Sequence, residues 1–333
     1  MLVVHIGMGK TASTTLQKRV FPTLAQLEPE ITVNDPDVVQ LCRKQHFLHL
    51  SDEERDFLRG RVRAADKALL SMEGLVNTDP RNWERAANAN LDLFGRNAVI
   101  VITVREPLSY LTSIYQQKIH EGHVRPPEEF FLSSVDYDRM QVPKSDWLLE
   151  FFDLGAFNFE RLHQLYKERF NTVWFVPMSR IREFEFLRAP FDLSDPTVKA
   201  LQAAFEDAPR ENVAYSDLAM RFTFARERLL RACGARTIGF NERMFEGFLK
   251  EQKGMVLPSP DHRRFHELGM GAKAVRITKK ISTPILSWRR LMQGGVNRFL
   301  PYRKYRLPEL TALDAELLEQ NRQYLARFET KAR

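Results

Sequence analysis

The sequence predicts an α/β fold of three layers, with a central, mostly parallel sheet flanked by helices and a helical C-terminal extension. Two observations predict it. Short apolar runs bounded by turn or charge signals alternate with amphipathic stretches of helical period, which implies parallel strands joined by helical crossovers. Lys10, Glu73 and Arg105 each follow one of those runs, at the edge where a parallel sheet gathers its ligands. A length of 333 residues, 44% hydrophobic, is enough for one sizeable core with an appended part. The expected division is an α/β domain over 1–235 and a helical, basic part over 236–333 that packs on the same domain.

Taken in order, strands are expected at 2–7, 67–72, 98–104 and 172–177, each short and apolar. Helices are expected at 13–27, 52–65, 82–94, 107–121, 158–170, 195–207 and 215–233. The first places Leu16, Val20, Leu24 and Leu27 on one face. The fourth starts at Pro107, whose missing N–H costs nothing in a first turn. Between 123 and 160 the periodicity fades and aromatics gather: Phe130, Phe131, Tyr137, Trp147, Phe151 and Phe152. Such a cluster is ordinary core, or a set of faces for a sugar ring or apolar acceptor. Two cysteines, Cys42 and Cys233, suit a reducing compartment better than a disulfide framework. No secretory apolar region precedes the first strand and no run of about 18 apolar residues occurs, so a cytoplasmic location is expected.

Between the first strand and the first helix lie Gly7, Met8, Gly9, Lys10, Thr11 and Ala12, then the hydroxyls of Ser13, Thr14 and Thr15. A strand, a tight loop with a lysine and a hydroxyl-lined helix start make a phosphate cradle, because backbone N–H groups and the positive helix end point at the anion. Gly9, Lys10 and Thr11 match the end of the nucleotide-triphosphate loop pattern, but Val4 stands where its first glycine belongs. The run over 99–104 ends in Arg105, not in a magnesium-holding Asp. The fold expected around the loop is P-loop-like, yet the loop is too short to wrap a triphosphate in the usual way. A kinase-like phosphotransferase remains a second reading, and a non-catalytic polyanion- or membrane-binding protein a third.

The stretch from His5 to Gln17 resembles the 5′-phosphosulfate loop of sulfotransferases, in which a strand leads into Lys-Thr/Ser-Gly-Thr-Thr and a helix, and is most similar to the bacterial branch. The stretch from Ile100 to Tyr115 resembles the 3′-phosphate signature of the same family: strand, Arg-x-Pro, a Ser eight residues after the Arg, then Tyr. The resemblance implies 3′-phosphoadenosine 5′-phosphosulfate (PAPS) as donor, 3′,5′-ADP as product and no metal. It assigns donor binding to Gly9, Lys10, Thr11, Ala12, Ser13, Thr14, Thr15, Arg105 and Ser113. Arg105 suits a 3′-phosphate with its planar fork, and Ser113 adds a hydroxyl two turns along the helix. Ala12 departs from the family, which usually has Gly there; it is tolerable if its φ stays negative.

Sulfuryl transfer is an in-line displacement needing positioning, charge stabilisation and a base. Lys10 would neutralise the leaving oxygen. Glu73, closing the run from Ala68 to Leu75, resembles the strand-Ser-x-Glu segment of bacterial sulfotransferases, whose carboxylate faces the acceptor. The plainer reading of Glu73 is a surface carboxylate paired with a nearby cation. His120, seven residues past Ser113, is the competing base, since cytosolic small-molecule sulfotransferases use a histidine. A His in a last helical turn also suits the helix dipole. The catalytic candidates are therefore Lys10, Glu73 and His120. His262 and His266 have i, i+4 spacing but no intervening Glu and no third ligand, so no metal site is expected.

Leu268 to Pro308 carries ten basic residues and no acidic one, so that segment holds +10 and the rest of the chain −3 of the net +7. It reads as a solvated helix face packed on the core, a surface for an anionic glycan, or an interfacial segment on an anionic membrane. The last would make the enzyme peripheral on the inner membrane face. No nucleic-acid motif accompanies the charge. The expected acceptor is a hydroxyl, of a carbohydrate or glycolipid.

Overall fold

Seven short apolar segments become strands: β1 (Leu2–His5), β2 (Ile31–Val33), β3 (Lys67–Ser71), β4 (Val99–Val104), β5 (Phe131–Leu132), β6 (Phe152–Asp153) and β7 (Thr172–Pro177). Five of them pair into an all-parallel sheet in the order β2-β3-β1-β4-β7, while β5 and β6 form a separate pair. These assignments come from a computed structural model, which describes residues 1–47, 50–140, 151–208, 215–233, 295, 297–307 and 312–329.

β4 is buried along its whole length, as a strand covered on both faces must be. Successive residues face opposite sides, so the sheet feeds two cores. Val4, Ile100 and Ile102 join one, with Leu93, Tyr110, Ile114 and Leu162. Val3, Val99 and Val101 join the other, with Leu16, Val20, Phe21, Leu24 and Leu201. Helices Trp83–Phe94, Pro107–Glu121 and Phe159–Lys167 thus line one face, while the helical stretch after β1 and helix Asp195–Glu206 line the other.

Several elements depart from the sequence expectation. β2 and helix Pro36–Phe47 fill a stretch in which none was expected. They are joined by Asn34, held at φ 48, whose side-chain oxygen accepts the Ser71 N–H at 2.7 Å. The expected first helix is a run of three pieces: Ser13–Thr15, a wider π-type turn at Leu16–Val20, and Phe21–Leu27. Pro22 explains the wide turn, because its ring and missing N–H break the regular ladder just behind it. Helix Asp52–Ala64 begins where a capping box predicts, with Ser51 and Glu54 answering each other's N–H groups.

The aromatic region is core among the described residues. Phe130, Phe131 and Phe157 are buried and pack on Tyr110 and Tyr115, and buried Phe152 packs on those three phenylalanines; Trp147 lies outside the described residues. Helix Ala312–Glu329 is fixed to the rest by Asn321, which accepts the Phe159 N–H at 2.6 Å and donates to the Phe157 carbonyl at 2.9 Å. Most of the basic stretch, with His262 and His266, lies outside the described residues. Its end is tied down where Asp217 N–H donates to the Arg303 carbonyl at 2.8 Å and Tyr305 and Leu307 are buried. Among the described residues no helix is long and apolar enough to cross a membrane, and both cysteines are free.

Candidate functional site

The loop after β1 stays fastened to β4. Ile6 N–H donates to the Val101 carbonyl at 2.9 Å and Met8 N–H to the Thr103 carbonyl at 3.0 Å. A Cβ on Gly7 would lie 1.9 Å from Thr103 Oγ1 and 2.6 Å from His5 Nε2, so only glycine fits this close approach. Lys10 and Ala12 both take the left-handed conformation, at φ 69 and φ 60. The condition on which Ala12 is tolerable, a negative φ, is thus not met, and the reason glycine suits this place is conformational. The left-handed region costs an alanine about 1–2 kcal/mol.

Each hydroxyl of the loop has its own surroundings. Thr11 is fully buried, and its hydroxyl donates to the Met8 carbonyl and meets Thr103 Oγ1 at 2.8 Å. Its side chain therefore faces inward, so Thr11 offers a ligand its backbone and not its hydroxyl. Ser13 is buried and donates its hydroxyl to the Glu73 carboxylate. Thr14 and Thr15 are half-buried, as are Gly9 and Lys10. The first helical bond runs from Leu16 N–H to the Ala12 carbonyl at 3.0 Å, so the N–H groups of Ser13, Thr14 and Thr15 have no partner inside the helix.

Arg105 leaves the end of β4, and the next helix starts in order. Pro107 opens it and Glu106 caps it, accepting from Leu108 N–H at 3.2 Å and Ser109 N–H at 2.7 Å. Burial works against ionisation of Glu106, but the Ser109 and Leu108 N–H groups and Arg322 together hold its carboxyl below the usual range. Arg105 Nη1 donates to the Lys10 carbonyl at 3.3 Å and to Ser113 Oγ at 3.1 Å. Two motifs separated by most of a hundred residues therefore meet at one guanidinium. Burial makes that cation less favourable than in water, the charge of neighbouring Glu106 works the other way, and no carboxylate is in ion-pair contact with it among the described residues.

Glu73 opens a short 3₁₀ turn, Glu73–Val76, directly after β3 and its linking Met72. Ser13 occupies one carboxylate oxygen, and the other lies 3.5 Å from where a Cβ on Gly9 would be. Among the described residues no Lys or Arg is recorded in an ion pair with Glu73. Behind it lies a second carboxylate. Asp79 is buried, accepts the Tyr137 hydroxyl at 2.8 Å and the Arg81 N–H at 3.0 Å, and burial raises its pKa. Tyr110, buried and stacked on Phe157, is pushed up first by burial and then by the charges of Glu73 and Asp79.

His120 is the candidate that the structure does not bring to the loop. It sits about 10 Å along the helix from Ser113, at 1.5 Å per residue, and its ring packs edge-on against Tyr215 at 4.1 Å. A base must come within hydrogen-bond reach of the proton it takes. Lys10, Ser13, Glu73, Arg105 and Ser113 form one group; His120 stands outside it.

Sequence reasoning missed His5, Asp79 and Tyr110. His5 carried a usable signal, a polar residue in the middle of the apolar run 2–6. Asp79 and Tyr110 carried none beyond their residue types. Among the described residues no group of three His, Cys, Asp or Glu side chains is placed to hold a metal. Compared with protein-family models and with curated proteins, the chain matches none.

Proposed function

We propose that the chain is a PAPS-dependent sulfotransferase, built on a P-loop-like α/β unit and acting on a hydroxyl acceptor, of a carbohydrate or glycolipid. The observation that carries this reading is the contact of Arg105 with both Ser113 Oγ and the Lys10 carbonyl. It joins the arginine–serine pair to the end of the short anion loop. A partly desolvated guanidinium with no carboxylate in ion-pair contact gains from a phosphate. The strand order supports the same reading, because the loop follows the central β1 and Arg105 follows its neighbour β4.

In this reading the loop N–H groups and Lys10 hold the 5′-phosphosulfate, and Arg105 with Ser113 holds the 3′-phosphate. An acceptor oxygen attacks sulfur; the bridging oxygen leaves as phosphate, with Lys10 answering its charge. Glu73 takes the acceptor proton through the oxygen that Ser13 leaves open. The Ser13 bond fixes the carboxylate against the loop, so base and donor keep one geometry. A place in the cytoplasm is part of the same proposal.

Isothermal calorimetry with 3′,5′-ADP in EDTA tests it. Binding without a divalent ion supports the sulfotransferase reading. Binding of ATP only with magnesium, and no binding of 3′,5′-ADP, would favour the phosphotransferase.

A further inference from the structure

His5 is a buried polar residue to which the chemistry above gives no part. It is fully buried in the central strand and bridges its two neighbours. Nδ1 lies 2.7 Å from Ser71 Oγ on β3, and Nε2 lies 3.0 Å from Thr103 Oγ1 on β4. From Thr103 the contacts continue to Thr11 Oγ1 at 2.8 Å and on to the Met8 carbonyl. On the other side, Gln17 Nε2 donates to Ser71 Oγ at 3.1 Å.

Counting protons fixes every direction in this chain. A carbonyl only accepts, so the single Thr11 proton goes to Met8. Thr11 Oγ1 must then accept from Thr103, which uses the single Thr103 proton. Thr103 Oγ1 is left to accept from the ring, so the imidazole proton sits on Nε2. At the far end the Gln17 amide nitrogen only donates, so Ser71 accepts it; a neutral ring protonated on Nε2 leaves Nδ1 bare, and the Ser71 proton is directed at it. Gln17, Ser71, His5, Thr103, Thr11 and Met8 form one unidirectional chain, fully satisfied by a neutral ring. An imidazolium would leave the Ser71 proton without its acceptor.

We infer that His5, as the Nε2–H tautomer, is a positioning residue for the donor loop: through Thr103 it orients Thr11 and the Met8 carbonyl and so fixes the turn over 8–11. The functional half of this inference rests on the sulfotransferase reading. Two further observations support the geometry. Gly7 is required because a side chain there would strike both Thr103 Oγ1 and His5 Nε2. Lys10 and Ala12 hold left-handed backbone that L side chains rarely adopt, so the loop needs a restraint from outside itself. Burial also lowers the His5 pKa to about 4, which keeps the ring neutral at ordinary pH.

Nitrogen NMR of protein labelled in its histidine rings tests the tautomer on the wild type, with no variant to fold. The expected result is a protonated Nε2 and a bare Nδ1 at pH 7. A bare Nε2, or an imidazolium at that pH, would overturn the inference. For the role, His5→Gln keeps an amide N–H that can reach Thr103, whereas His5→Asn reaches only the Ser71 side. Calorimetry with 3′,5′-ADP should find the Gln variant within about threefold of wild type and the Asn variant weaker by about tenfold or more, the value of one well-placed hydrogen bond. Equal losses in both would mean that His5 only fills space. If wild type bound no 3′,5′-ADP, the donor reading would fail by itself. Amide exchange over Lys10 to Ser13 would then decide the role of His5: faster exchange in the Asn variant alone supports it, and equal exchange in both refutes it.

Discussion

Replacing Ala12 by glycine should stabilise the protein slightly, and replacing it by valine should destabilise it clearly. Ala12 precedes the helix at φ 60, ψ 14, which costs an alanine about 1–2 kcal/mol. Glycine removes that cost but gains freedom in the unfolded chain, worth about 0.4–1 kcal/mol in the opposite direction. The methyl group is half-buried against the cluster around Leu16 and Val3, so its loss subtracts roughly half of the ~0.8 kcal/mol of a fully buried carbon. The balance for Ala12→Gly is a gain of about 0.5 kcal/mol, or about 1–2 °C in Tm for a domain of this size. Ala12→Val puts a β-branched residue into the same conformation and should lose about 1–3 kcal/mol. Urea unfolding followed by circular dichroism measures both. A valine variant that matches wild type, or a glycine variant that loses more than about 1 kcal/mol, would place Ala12 outside the left-handed region.

Three other outcomes are expected. His5 titrates at about 4 in the fold against 6.5 outside it, so between those values the unfolded chain binds a proton that the native state excludes. Stability should therefore fall by about 3 kcal/mol as pH drops from roughly 6.5 to 4, with His163, also lowered to about 4 by burial, acting in the same direction; urea midpoints that stay flat across that window would contradict this. Glu73→Gln should keep 3′,5′-ADP affinity within a few-fold and lower turnover by about 10²–10⁴ with any acceptor that wild type labels from PAPS; full turnover would remove Glu73 as base. Asn321→Leu leaves the buried Phe159 N–H without its acceptor and should cost about 1–3 kcal/mol in urea unfolding; an unchanged midpoint would show that helix Ala312–Glu329 is not fixed there.

The sheet was legible because its strands are continuous apolar runs, and a buried parallel strand such as β4 has no other pattern to show. β2 was not, since three residues ending at a left-handed Asn34 carry too little periodicity to register. The two halves of the candidate site were legible as motifs, and their junction followed from the order of strands. What sequence could not supply was direction. It placed Thr11 among the donor ligands, but the turn of the loop aims that hydroxyl at Met8 and Thr103. It set His120 on the right helix, yet seven residues of helical rise carry it away from Arg105 and toward Tyr215. His5 lay in plain view as a polar residue in an apolar strand; its role depends on Ser71 and Thr103, which come from strands far away in the chain.

The central claim is that Arg105 and Ser113 hold a 3′-phosphate. It is tested by the affinities of 3′,5′-ADP and 5′-AMP for the wild type and for Arg105→Ala, measured by calorimetry without magnesium. Charge-assisted bonds from Arg105 are worth about 1.5–3 kcal/mol, so wild type should prefer 3′,5′-ADP by roughly 10- to 150-fold and the variant should lose that preference. Equal affinity of wild type for the two nucleotides, or a preference that survives in Arg105→Ala, would contradict the account.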